Sequence, residues 1–104
     1  MRSTISVRHS EITPLLRERA DAVLARLAEL SPHALDATVV FDQGPGGPAV
    51  EIRLHARGRK VLIATGEGSD HRTALDRAEA KLRPQLIKAS QVRTRTRRVP
   101  TRDA

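Results

Sequence analysis

The C-terminal segment of the 104-residue chain is rich in side chains that bind phosphate. Residues 91–104 contain five basic residues, all of them arginine, and one acidic residue, so they carry +4 of the net charge of +7. A guanidinium group is planar and can pair with a phosphate through two parallel hydrogen bonds. We therefore predict that this segment contacts a polyanion through Arg93, Arg95, Arg97 and Arg98. The alternative is a solvated basic end that only aids solubility.

A second group of basic residues lies on the amphipathic segment that precedes these arginines. At about 100° per residue, Arg77, Lys81 and Lys88 fall together on the side away from the apolar stripe, and Arg83 lies nearer the flank. The two acidic residues of this segment fall elsewhere on the helical wheel. The spacing thus predicts an exposed basic strip, and these four residues are candidate phosphate contacts.

The remaining titratable residues form no catalytic or metal-binding pattern. His9, His33, His55 and His71 have neither the spacing of metal ligands nor a nucleophile motif beside them. Asp70 is interpreted as a helix cap, and His71 as a surface residue of the first helical turn. The chain has no cysteine, which excludes disulfides and thiolate chemistry. We expect no enzymatic activity, no metal, no cofactor and no small-molecule substrate.

The composition also limits the classes of partner that the protein can be expected to bind. Nineteen basic and 12 acidic residues favour a polyanion such as nucleic acid or an anionic membrane surface. No segment approaches the ~20 apolar residues of a membrane span, and the first residues lack the apolar core of a signal peptide, so a cytoplasmic protein without a membrane partner is expected. One phenylalanine and no tyrosine or tryptophan argue against stacking on single-stranded bases. Recognition of folded RNA through its backbone is the expectation.

Hydrophobic periodicity predicts the elements that position these groups, in the order β-α-β-β-β-α. The first helix is expected to have Thr13 as its N-cap and Pro14 at its first position. The last strand fits two orientations; we prefer Leu62 and Ala64 inward, and the alternative places Val61 and Ile63 there. The expected inward residues of the two middle strands are Leu35, Ala37, Val39, Phe41, Val50, Ile52 and Leu54.

The second helix is expected to begin near Ser69 or Asp70 and to bury Leu75, Ala78, Leu82 and Leu86. Pro84 lies within it, where a missing N–H and a clash with the preceding turn cost up to ~3 kcal/mol, so a kink or loosening is expected there.

The element order predicts an α+β fold, a two-layer sandwich in which a four-stranded sheet carries both helices on one face. Double-stranded-RNA-binding domains share the α-β-β-β-α part of this topology. We expect a folded domain over residues 1–90 and a basic, disordered C-terminal tail over residues 91–104.

The segment "GEGSDHRTALDRAEAKLRPQLIK" resembles the signature of the ribosome hibernation-promoting factors, also called ribosome-associated inhibitor or sigma-54 modulation proteins. The first helix is similar to theirs as well, so the likeness spans about residues 3–90. Two departures are Arg72, where the family usually has an aromatic residue, and Pro84, where it has an arginine. The matching residues are Ile12, Thr13, Leu16, Arg17 and Leu27 in the first helix, and Glu67, Asp70, Ala74, Leu75, Asp76, Lys81, Leu82, Gln85, Leu86 and Lys88 in the second segment.

The resemblance implies a ribosome-binding translation inhibitor of stationary phase or stress. It would occupy the decoding region of the small ribosomal subunit through phosphate contacts to 16S-type rRNA, and so block mRNA and tRNA. The length matches the short form of the family, which is expected to be monomeric. Two alternatives stay open: a protein-binding regulator of the transcription-modulator type, using an apolar patch of Val40, Val61 and Ile63 on the open sheet face, and a structured-RNA-binding domain without ribosome specificity.

Overall fold

The computed structural model describes residues 1–57 and 60–102, with side chains described as far as Lys88. The elements follow the predicted order, and both helices pack against one face of a single sheet. The predicted α+β two-layer sandwich is therefore confirmed. The elements are β1 (Arg2–Val7), α1 (Pro14–Leu30), β2 (Ala34–Gly44), β3 (Gly47–Ala56), β4 (Lys60–Glu67) and α2 (His71–Arg102).

The four strands lie in the order β1-β2-β3-β4. β1 pairs in parallel with β2, because α1 carries the chain back across the sheet between them. The other neighbours are antiparallel hairpins. The two edges of the sheet are therefore β1 and β4, and α2 contacts β4 far more extensively than it contacts any other element.

The core lies between the sheet and the helices and follows the predicted periodicity. α1 begins as expected, with Pro14 in its first turn and the Thr13 hydroxyl accepting a hydrogen bond from the backbone N–H of Leu16 at 3.1 Å. The residues predicted to face inward from β3 and α2 are buried, and α1 buries Ala20, Val23, Leu24 and Leu27, with Leu16 partly buried against the core. The largest fully buried side chains are Phe41, Leu27, Ile52, Leu54, Leu75 and Leu82.

One inward prediction for β2 was wrong. Leu35 is 55% exposed, and Ala34 packs against the core in its place. Ala34 pairs with Ala56 while Asp36 pairs with His55, so two steps along β2 match one step along β3. Leu35 is the extra residue of this bulge, which resets the alternation of the strand at its first residues.

The orientation preferred for β4 is confirmed. Ala64 is buried and Leu62 packs against the core, whereas Val61 and Ile63 are 44% and 48% exposed on the open face of the sheet. The pairing of Ala56 with Lys60 fits the three-residue connection that this orientation needs.

α2 runs without interruption across Pro84 to Arg102, so the loosening expected at the proline does not end the helix. Pro84 and Ala80 are both exposed, and water can therefore satisfy the Ala80 carbonyl that loses its helical donor. The boundary predicted at residue 90 falls inside this helix. The side chains of residues 89–104 lie outside the described part of the chain, and the division into a domain and a tail stays a prediction.

Within the described residues, neither helix combines the length and the apolar character that a bilayer-spanning segment needs.

Candidate nucleic-acid interface

The start of α2 is fixed by Asp70, as expected for a cap. Its carboxylate accepts a hydrogen bond from the backbone N–H of Thr73 at 2.8 Å. This bond, and a second one from the Thr73 hydroxyl, lower the pKa of the Asp70 carboxyl. Asp70 therefore acts as a structural anion at the N-terminus of the helix.

His71 is not the surface residue that we expected. It is half-buried, and its ring meets that of Phe41 edge to face, with centroids 5.8 Å apart. Its Nε2–H donates to the backbone carbonyl of Asp42 at 2.9 Å. This residue attaches the first turn of α2 to β2, a tertiary role that the helical pattern could not indicate.

Gly66 lets α2 lie directly on β4. A Cβ atom at this position would be 2.3 Å from the carbonyl oxygen of Ala74 and 2.6 Å from the backbone nitrogen of Ala78. Real Cβ atoms do not come that close to backbone, so only glycine fits here. The close approach places the flank of α2 beside the outer edge of β4.

Two side chains of α2 then bond to that edge. The Arg77 guanidinium donates to the Glu67 carbonyl at 2.7 Å, and the Gln85 amide reaches the Ile63 carbonyl in a weak contact at 3.5 Å. Eight residues of helix rise ~12 Å, and four residues of strand rise ~13 Å. The two contacts therefore show that α2 and β4 run antiparallel, side by side and in step.

Arg77, Lys81 and Lys88 are all exposed on the flank that faces away from α1; we call these three residues the α2 strip. None of the ion pairs among the described residues includes a member of the strip. The predicted exposed strip is therefore present, although its role in binding stays a prediction. Arg83 is also exposed but belongs to a different side of the helix, as the wheel indicates.

The acidic residues of α2 are held on its opposite flank by α1. Arg19 binds Asp76 through two hydrogen bonds of 3.0 Å, and Arg26 binds Glu79 through two of 2.8 and 2.9 Å. Both are bidentate guanidinium–carboxylate pairs. Since each carboxylate already has a cation, neither neutralises the α2 strip. The wheel showed that these acids lie away from the strip, but their partners on α1 were missed.

The charge of the whole chain is concentrated on this one helix. α2 contains ten basic and two acidic residues, a net charge of +8, whereas the rest of the chain contains nine basic and ten acidic residues, a net charge of −1. The predicted contacts Arg93, Arg95, Arg97 and Arg98 belong to the same helix, but their side chains lie outside the described part of the structure. An anionic partner is attracted to α2 and not to the molecule at large.

The open face of the sheet has a different character. Its shallow groove is lined by hydroxyl groups of β1, β2 and β4 and by charges of both signs. Arg53 pairs with Glu51, and His55 lies 3.2 Å from Asp36 on the neighbouring strand. Among the described residues, no cluster of three histidine or acidic side chains could hold a metal ion.

Comparison with known proteins identifies the family. The family model for sigma 54 modulation protein / S30EA ribosomal protein matches residues 3–94. The chain belongs to this family. The structure is similar to that of a ribosomal subunit interface protein from Coxiella burnetii, with a TM-score of 0.76 and 21% identity over 88% of this chain and 99% of that one. It is also similar to the Protein Y N-terminal domain from Thermus thermophilus, with a TM-score of 0.72 and 29% identity over 85% and 98% of the two chains.

Membership of the S30EA family confirms the resemblance drawn from the two helical motifs. It identifies the protein as a ribosome-associated hibernation factor that regulates translation, in a family of ribosome modulators.

Proposed function

We propose that this protein inhibits translation by occupying the decoding region of the small ribosomal subunit, where it blocks mRNA and tRNA. The observation that carries the proposal is the confinement of the net positive charge to α2, with an exposed strip that pairs with no acidic side chain among the described residues. Folded 16S-type rRNA presents a phosphate surface of complementary charge. We also propose that the protein is cytoplasmic and monomeric, and that it acts in stationary phase or under stress.

The chemistry of the surface favours recognition of RNA shape over reading of bases. The one aromatic side chain other than histidine, Phe41, is fully buried, so it cannot stack on a base. Lysine and arginine side chains are the groups that contact the backbone of structured RNA. The proposed contacts are Arg77, Lys81, Arg83, Lys88, Arg93, Arg95, Arg97 and Arg98.

Binding to purified small subunits tests this proposal. Lys81→Gln/Lys88→Gln removes two positive charges from α2, and we expect it to weaken co-sedimentation and the inhibition of translation in a purified system. The matched control is Arg2→Gln/Arg8→Gln, which removes the same charge from two exposed residues of the β1 side of the molecule. Equal losses in the two variants would mean that only total charge matters, and the proposed pose would be wrong.

A protein-binding regulator is the second candidate, favoured by the neighbouring exposed side chains of Val61 and Ile63. Such a patch is typical of a protein contact. Val61→Thr/Ile63→Thr keeps β-branched residues in the strand and removes the apolar surface. Under the main proposal this variant binds small subunits as well as the wild type does, whereas a loss of inhibition with unchanged ribosome binding would favour the second candidate.

A further inference from the structure

The outer edge of β4 and the flank of α2 that carries the α2 strip lie side by side, joined by the contacts of Arg77 and Gln85; we call the surface that they share the β4 groove. We infer that this groove holds one RNA backbone strand along the axis of α2, and that Lys60 of β4 is a fourth phosphate-binding residue within it. The inference rests on the proposed function and adds to it the path of the RNA and a contact outside α2.

The side of the sheet on which Lys60 lies follows from the alternation of β4. Successive residues of a strand face opposite sides of the sheet, so Lys60 lies on the same side as Leu62, Ala64 and Gly66, which face the helices. Its partner on β3, Ala56, is also buried on that side. Lys60 itself is exposed. Its side chain therefore leaves the sheet on the α2 side, at the open end of the strand.

The position of Lys60 along the groove follows from the contact between Gln85 and Ile63. From that contact towards the start of β4, Lys88 lies ~4.5 Å further along the helix and Lys60 ~10 Å further along the strand. Lys60 thus continues the line of the α2 strip about 5 Å beyond its last member. The four cations therefore follow one another along this axis, although they come from two elements.

The backbone of β4 adds hydrogen-bond donors to the same groove. In an antiparallel pair the N–H and C=O of one residue point to the same side. The carbonyls of Ile63 and Glu67 accept bonds from α2, so the N–H groups of these residues, and that of Thr65 between them, face the groove. Because two of the carbonyls are already bonded, the edge presents mainly donors, which suits the acceptor oxygens of phosphate and ribose.

The acidic side chain of β4, that of Glu67, points away from the groove. The Glu67 carboxylate lies beside Gly46 in the loop between β2 and β3, where a Cβ atom on that glycine would be 2.2 Å from it. By the alternation of β4, the Glu67 side chain is on the open face of the sheet, opposite the helices. It therefore leaves the positive potential of the groove intact.

The first test is the salt dependence of binding to purified small subunits. Each phosphate contact contributes roughly 0.7 to 0.9 to the slope of log affinity against log salt, so Lys60→Gln is expected to reduce the slope by about one unit. Lys60→Arg keeps the charge and is expected to restore it. Arg2→Gln, the control on the far edge of the sheet, is expected to leave it unchanged, and thermal melting verifies that each variant is folded.

A second variant places negative charge in the groove. Gln85→Glu replaces a donor by a carboxylate between Lys81 and Lys88, and we expect it to weaken binding several-fold more than Ala22→Glu, which makes the same charge change on the exposed side of α1. Small subunits that bind wild type and Lys60→Gln with equal slopes would overturn this inference alone. Failure of the wild type to bind them at any salt concentration would overturn the proposed function as well.

Discussion

At the scale of single residues, the position of the interface depends on glycine and on side chains that reach across elements. Gly66 sets the distance between α2 and β4, and Arg77 and Gln85 then hold the two in step. The role of Gly66 could not be predicted from the sequence, because the atoms that require a glycine there are backbone atoms of another element. The packing of His71 against β2 and the placement of Lys60 on the α2 side of the sheet could not be predicted for the same reason: their neighbours are distant in sequence.

Gly66→Ala is expected to destabilise the protein by about 1–3 kcal/mol, the usual range for overpacking, because the new methyl group meets backbone atoms that cannot rotate away. Denaturant unfolding measures the effect. Gly46→Ala is the matched control, since its methyl group meets only the flexible end of the Glu67 side chain. A Gly66→Ala variant as stable as Gly46→Ala would show that α2 can move off the strand at little cost.

At the scale of elements, periodicity predicted the order, the core faces and both helix starts, because burial imposes a period of two on strands and 3.6 on helices. It failed at Leu35, since a bulge depends on the partner strand and leaves no local signature. The wheel also located the α2 strip. It could not show that Asp76 and Glu79 are bonded to α1, because the relative position of two helices is a tertiary property.

The two ion pairs between the helices differ in exposure, and we expect them to differ in strength. The side chain of Glu79 is 11% exposed, whereas that of Asp76 is 43% exposed. Solvent screens the second pair more, so a double-mutant cycle with alanine is expected to give about 1 kcal/mol or less for Arg19 with Asp76 and a larger coupling for Arg26 with Glu79. A larger coupling for Arg19 with Asp76 than for Arg26 with Glu79 would mean that the cost of desolvating Glu79 exceeds the gain from its ion pair.

At the scale of the whole molecule, the chain separates a strongly basic helix from a nearly neutral remainder. α2 carries a net +8 and the rest of the chain −1. Composition alone indicated a polyanion as partner, and the motifs indicated the family, which the comparisons confirm. The structure was needed to show where positive charge remains unneutralised, because Asp76 and Glu79 pair with α1 and not with the α2 strip.

The C-terminal arginines are expected to contribute to affinity and not to folding. Replacing Arg93, Arg95, Arg97 and Arg98 by glutamine is expected to flatten the salt dependence of small-subunit binding by about 0.7 to 0.9 for each arginine that contacts a phosphate. The melting temperature is expected to change little, since the segment lacks an apolar stripe. If wild type and variant have equal slopes of log affinity against log salt, these four arginines do not contact phosphate, and the rest of α2 makes the phosphate contacts.

Tethered hydroxyl-radical cleavage would show whether α2 faces rRNA in the decoding region, as we propose. The chain has no cysteine, so Ala80→Cys on α2 and Thr4→Cys on the open sheet face each offer a single attachment point for an iron chelate, and neither removes a charge. We predict strong cleavage of decoding-region rRNA from position 80 and weak cleavage there from position 4. Equal cleavage from both positions, or cleavage confined to rRNA outside the decoding region, would show that α2 does not face the decoding region.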